Sequence, residues 1–221
     1  MVGEDAIRLT SSYITTPMMK LLWNITWLIF KPLLVVFCRF EIRGAHHLDL
    51  VKPPIIVAAN HTNRSDPYVI GAAFSYNSPY FPIRYLTAQE YMEMPVLGVI
   101  IAVYGGIVVH KGVGKERALK EAVALLKEGQ TVGIFPSGKI ITDSKVQKGK
   151  EGVAYLASKT GLPVVPVAIS GSYGLNPLKF FFGGRKIIVS IGAPITTNGG
   201  DLREVTAKIM NRIRELHTLS T

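Results

Sequence analysis

The chain holds a single cysteine, Cys38, in 221 residues. Disulfides within the chain are excluded, and a reducing compartment is the expected setting. It has no Gly-x-Ser-x-Gly elbow and no cysteine near a candidate base, so a side-chain nucleophile is missing. Zinc-type Cys/His spacings are absent. The adjacent His46 and His47 fall in a loop with no further ligand close by, which predicts exposed histidines and no metal. There is no aromatic RNA-binding motif and no basic helix block, which argues against a nucleic-acid partner. Internal repeats and low-complexity tracts are missing too. Negative charge is scarce: 15 Asp and Glu stand against 25 Lys and Arg, a formal charge of +10. That excess suits an anionic lipid surface or an acidic carrier.

A clean apolar run of about 20 residues, the length of a membrane span, is also wanting. The nearest approach is Pro17 to Phe40, where Lys31-Pro32 breaks the run near its middle and Lys20 and Asn24 interrupt its first half. The pattern predicts two short helices meeting near Pro32. Trp23, Trp27 and the bases Lys20, Lys31 and Arg39 then suit the headgroup layer of a membrane. A pair of core helices and a true transmembrane helix are the competing readings. Residues 1–16 are polar and lack a basic start, so no secretory signal is expected. The chain divides into membrane-associating helices at 1–39 and an α/β domain at 40–221.

What is present is an alternation of short apolar runs with helical patterns. Strands are expected at 40–43, 55–59, 84–87, 107–109, 131–135, 162–169 and 186–191. Pro163 and Pro166 suit an edge or an irregular position for the sixth of these. Helices are expected at 67–74, at 90–104 with a kink around Pro95 and Gly98, at 115–127, at 150–159 and at 201–216. The alternation predicts a mixed, mostly buried central sheet flanked by helices. Phe180-Phe181-Phe182 reads either as an exposed cluster that touches a bilayer or as a core-facing loop.

The first apolar run of the domain ends in Asn60-His61-Thr62-Asn63-Arg64-Ser65-Asp66. In α/β sheets the carboxyl ends of strands are where ligands sit. A general base needs one imidazole nitrogen free and the other held as a donor. A carboxylate at the donor nitrogen fixes the tautomer and stabilises the imidazolium formed later. Five residues of turn let Asp66 reach His61. The plainer alternatives are a chance pair in a polar loop, and Asp66 as a helix cap. With no protein nucleophile, His61 as a base would activate a hydroxyl of the substrate. A second strand ends in Pro136-Ser137-Gly138-Lys139. Its backbone amides are candidate anion or oxyanion donors, with an ordinary turn as the alternative. Lys145, Lys148 and Lys150 follow, as the mouth of an anionic site or as a solvated face.

Four blocks in this order resemble the glycerolipid acyltransferase family, best known for 1-acyl-glycerol-3-phosphate acyltransferases. Asn60-His61 through Asp66 is similar to its histidine, four spacers, aspartate signature. Gly105 to Lys111 is similar to its second block, a glycine-bearing strand ending in a base. Phe135-Pro136-Ser137-Gly138 stands where the family has Phe-Pro-Glu-Gly-Thr-Arg, and Leu162 to Val167 matches its proline-bearing strand. The family's Glu is Ser137 here, its Thr and Arg are Lys139 and Ile140, and the second block ends in Lys111 rather than Arg. The resemblance implies His61 and Asp66 as catalytic residues, with Asn60, Arg64, Lys111, Ser137, Gly138 and Lys139 around the substrate. It implies no cofactor. Acyl-CoA or acyl-carrier protein is then the co-substrate, a lysophospholipid the acceptor, and the cytoplasmic face of the cell membrane the location. A non-catalytic lipid-binding membrane protein, an acyltransferase for a different lipid head group, and a lipid or thioester hydrolase are the alternatives.

Overall fold

The computed structural model describes residues 16–112, 114–141, 148–197 and 199–220. Lys145 and the polar residues 1–15 lie outside them. The chain runs through α1 (Thr16–Cys38), β1 (Glu41–Arg43), a 3-10 turn (Ala45–Leu50), β2 (Ile56–Ala59), α2 (Asp66–Ala73) and β3 (Ile83–Ala88). It continues with α3 (Gln89–Met92), α4 (Pro95–Val103), β4 (Ile107–Val109), α5 (Gly114–Lys127) and β5 (Thr131–Ile134). It closes with α6 (Gly152–Thr160), β6 (Val164–Ser170), α7 (Pro177–Phe182), β7 (Ile188–Ile191) and α8 (Leu202–Thr218).

The seven strands form one sheet in the order β1-β7-β6-β2-β5-β3-β4. β6, β2, β5, β3 and β4 are mutually parallel, while β7 runs antiparallel to β6 and carries β1 parallel to itself. Successive strand residues point to opposite faces. Val57 and Ala59 face the layer of α1, α2 and α7, with Trp23, Ile70 and Phe180. Ile56 and Ala58 face the layer of α5, α6 and α8, with Ala122, Leu156 and Ile213. Burial on both faces explains why β2 reads as a continuous apolar run. The expected mixed sheet between helices is thus the fold observed.

Of the two positions expected for the proline-bearing strand, the irregular one holds: β6 is no edge but lies between β7 and β2 and is buried throughout. Its Pro166 falls where the β7 ladder turns irregular, between the pairs Val167–Ile191 and Val164–Ile195, so the missing N–H comes at a break in the pairing. Pro166 still accepts the Gly192 amide through its carbonyl at 2.8 Å.

The apolar N-terminal segment is one 23-residue helix, not two, and Pro32 sits inside it. Proline removes one helical hydrogen bond and normally kinks the helix. Here Pro32 lies on the exposed side, and the helix is gripped on both sides of it by buried Trp23 and Leu34. Trp23 stacks on Phe81 at 5.2 Å and crosses Tyr104 edge to face at 5.4 Å. It also lies against Gly71 of α2, where any Cβ would enter the indole ring. α1 is the helix among the described residues that is long and apolar enough to cross a membrane. It is nevertheless packed on the domain from Met19 to Cys38, and its other side exposes Leu21, Ile25, Leu28, Ile29, Val35 and Val36.

Candidate active site

The parallel strands β2, β3, β4 and β5 all end on the same edge of the sheet, and the loops that follow them enclose a cavity of about 560 Å3. Placement of the chemistry follows from that topology. His61 follows the end of β2 with Asn60 between them, and Phe135 directly follows β5. The two rings stack at 3.9 Å and 12°, and Phe135 in turn stacks on Tyr85 of β3 at 5.3 Å. The imidazole plane is therefore fixed from below by an aromatic pile. The backbone carbonyl of His61 accepts the Ile141 amide at 2.8 Å, which ties the first loop to the second.

His61 Nδ1 lies 3.0 Å from Asp66 Oδ2. The same oxygen accepts the backbone amides of Thr62 at 2.7 Å and Asn63 at 2.8 Å. Asp66 is fully buried and opens α2, where the helix dipole favours a negative charge. It does not cap its own helix. It closes the turn that presents His61, so the five-residue spacing is a folded loop around one carboxylate oxygen. With Nδ1 donating to Asp66, Nε2 is the nitrogen left for a substrate in the cavity, which His61 lines. The other oxygen, Asp66 Oδ1, and the Tyr85 hydroxyl are buried without a hydrogen-bond partner among the described residues. Burial, with a contribution from the Asp66 charge, pushes the Tyr85 phenol far above its usual value, and burial does the same to Tyr68. Both line the cavity as neutral hydroxyls.

The expected substrate-contacting residues separate into two groups. Arg64, Gly138 and Lys139 line the cavity. Asn60, Lys111 and Ser137 do not. Asn60 is buried and clamps the sheet: its side chain donates to the Ile169 carbonyl at 2.9 Å and accepts the Ile169 amide at 2.8 Å. Ser137 is buried with its hydroxyl donated to the Lys139 carbonyl at 2.9 Å. Lys111 projects into solvent beside Glu90, at 3.8 Å. The Gly138 amide, expected as an oxyanion donor, is spent in a turn onto the Phe135 carbonyl at 2.9 Å. What Gly138 provides is room. Its φ is +67°, and the space a Cβ would fill is taken by the Lys150 ammonium.

Sequence reasoning missed Lys115, while Lys150 was one of three lysines read either as the mouth of an anionic site or as a solvated face. Both line the cavity. Lys115 had a usable signal, because it stands in the first turn of α5 just after the loop that ends β4. Lys150 is placed by its amide, which donates to the Pro136 carbonyl at 2.8 Å and folds the chain back over the second loop. Arg64, Lys115, Lys139 and Lys150 have no carboxylate within ion-pair distance among the described residues. The two acids of the lining, Glu90 and Glu151, are instead engaged by Lys111 and Arg203. Among the described residues, the cavity thus carries four cations without a carboxylate partner, together with His61. Its lining also includes the apolar side chains of Leu97, Ile101, Val109 and Leu119.

The family model for Acyltransferase matches residues 39–170. A chloroplastic 1-acyl-sn-glycerol-3-phosphate acyltransferase of Brassica napus is 26% identical over 143 residues, 64% of this chain and 40% of the relative. The 1-acyl-sn-glycerol-3-phosphate acyltransferase of Borreliella burgdorferi is 27% identical over 146 residues, 65% of this chain and 54% of the relative. The chain thus spans about two fifths to about half the length of these curated relatives. Among solved structures, the 1-acyl-sn-glycerophosphate (LPA) acyltransferase PlsC of Thermotoga maritima shares the fold. Its TM-score is 0.72 at 24% identity, over 98% of this chain and 88% of that one.

Proposed function

The chain belongs to the Acyltransferase family, and on that footing we propose that it moves a fatty acyl group from acyl-CoA or acyl-carrier protein to the hydroxyl of 1-acyl-glycerol-3-phosphate. The product is phosphatidic acid. The observation that carries the reading is the His61–Asp66 pair at 3.0 Å, set in a cavity lined by both cationic and apolar side chains.

His61 Nε2 takes the proton of the acceptor hydroxyl as its oxygen attacks the thioester carbonyl. Asp66 stabilises the imidazolium that forms. The tetrahedral oxyanion collapses with loss of the thiolate, which receives the proton from His61. The Gly138 amide is already used, so charge on the oxyanion and on the acceptor's phosphate falls to the side chains of Arg64, Lys115, Lys139 and Lys150. Lysines act as point charges where the family has a planar Arg fork, which loosens geometric selection of the headgroup. The apolar outer side of α1 rests on the bilayer that holds the acceptor, on the cytoplasmic face where the thioester donors are made.

The test is purified protein on anionic vesicles with lysophosphatidic acid and acyl-CoA, beside His61→Ala. Phosphatidic acid from the unaltered chain, lost in the variant while its circular dichroism is unchanged, is the expected result. Equal turnover in His61→Ala would overturn the mechanism. Binding of lysolipid without turnover of any acyl thioester would favour a lipid-binding protein, and free fatty acid without an acylated acceptor would favour a hydrolase.

A further inference from the structure

Helix α7 has only six residues, yet it is firmly held. The Asn176 side chain caps it by accepting the Lys179 amide at 2.8 Å, Pro177 opens it, and Gly183 ends it. Phe180 is buried and packs on Phe30 and Phe37 of α1 at 6.0 and 6.2 Å, and the Cys38 thiol donates to its carbonyl at 3.8 Å. The inner side of α7 is thereby fixed. Its outer side is Leu178, Phe181 and Phe182, spaced i, i+3 and i+4 on one helical face. Leu178 is 70% exposed and Phe182 is 82% exposed. Phe181 meets Phe37 edge to face at 5.1 Å, so this face joins the exposed stripe of α1 at Val35 and Val36. Bases lie about the junction: Arg39 beyond the end of α1, Lys179 on α7 and Arg185 after it, while Lys186 is paired with Glu41 at 2.5 Å. Residues 171–200 contain no Asp or Glu.

The geometry points to α7 as a second membrane-docking element, a wedge that sinks Leu178, Phe181 and Phe182 into an anionic bilayer while Arg39, Lys179 and Arg185 meet its headgroups. The inference rests on the reading that α1 lies on the membrane. Continuity with the α1 stripe and the excess of bases beside it favour a bilayer over a protein partner, because the Leu178, Phe181 and Phe182 side chains offer no polar group for the hydrogen bonds a protein interface carries. The second contact has a mechanical consequence. A single helix lying in the headgroup layer leaves the domain free to roll about the helix axis. A wedge displaced from that axis fixes the roll, and with it the face of the cavity turned to the lipid.

The experiment uses the full chain with Phe182→Cys carrying an environment-sensitive dye. Cys38 is buried, so the new thiol is the one labelled. On vesicles of phosphatidylglycerol and phosphatidylcholine, the dye emission should shift to the blue and be quenched by lipids brominated on the acyl chain. A chain that floats with the vesicles while its dye stays aqueous would overturn the wedge and leave α1 as the sole contact. A chain that does not float would overturn the wedge and the membrane reading together. A dye buried in a dimer without vesicles, seen by light scattering, would overturn the wedge in favour of a second copy. Phe181→Ser/Phe182→Ser should lower vesicle partitioning about tenfold, with unchanged acyl transfer to a short-chain acceptor free in solution. Unaltered partitioning in that variant would also overturn it.

Discussion

Asp66→Asn separates charge from shape at the centre of the site. The asparagine carbonyl fits where Oδ2 stands, so the bonds from the Thr62 and Asn63 amides at 2.7 and 2.8 Å are retained. What is lost is the negative charge 3.0 Å from His61 Nδ1. That charge acts chiefly once His61 has taken the proton. A charge-assisted hydrogen bond exceeds a neutral one by about 1.5 kcal/mol, which sets the lower bound. Coulomb's law at that distance with an effective dielectric near 20 gives about 5 kcal/mol, which sets the upper bound. Asp66 is fully buried, so little water screens the pair. With about 1.4 kcal/mol per decade of rate, these bounds put the fall in kcat between about tenfold and several thousandfold. KM should move little, because the neutral ground state feels the charge weakly. Release of free thiol from acyl-CoA, followed with a chromogenic disulfide, measures both constants. A folded Asp66→Asn protein with kcat within threefold of the unaltered chain would refute the role given to the carboxylate.

Lys115→Ala and Lys150→Ala should each raise KM for lysophosphatidic acid about three- to tenfold at low ionic strength, with kcat nearly constant and the effect shrinking as salt is added. Lys111→Ala should leave KM within twofold, since Lys111 is solvent-exposed beside Glu90 and does not line the cavity; a larger effect of Lys111 than of Lys115 would reverse the assignment. Asn60→Ala should destabilise the fold by roughly 2–3 kcal/mol, because the Ile169 amide and carbonyl are both left buried and unpaired; chemical denaturation reads this directly. His217 sits partly buried in α8, and burial holds its imidazole below the ordinary 6.5. Below that value the unfolded chain binds a proton the folded chain resists, so stability present above pH 6.5 is lost as the pH falls. The Tm should drop between about pH 7.5 and about pH 5, and His217→Gln should flatten the drop.

Every strand and most helices were legible from the sequence because their apolar patterns are local. The run at Ile56 to Ala59 is greasy on both faces, and α5 shows a helical stripe that closes at Gly129. His61 and Asp66 were legible for the same reason, since the loop that joins them is six residues long and closes on itself. The two-helix reading of α1 failed because Pro32 was weighed by its own propensity. The grip of Trp23 and Leu34 on distant residues, which overrides it, has no signature within the segment. The prolines of β6 left an edge and an irregular position open, and the break in its pairing with β7 decided for the second.

Tertiary structure alone decided which polar residues meet. Asn60 and Lys111 stand in the matching blocks, yet one is consumed by the backbone of β6 and the other turns to solvent. Lys115 and Lys150 arrive from separate elements and share a cavity with Arg64 and Lys139 because four parallel strands end on one edge. A base and the carboxylate that orients it can be written within one loop. The field that surrounds them is a sum over side chains far apart in sequence, and it exists only once the sheet has fixed their directions.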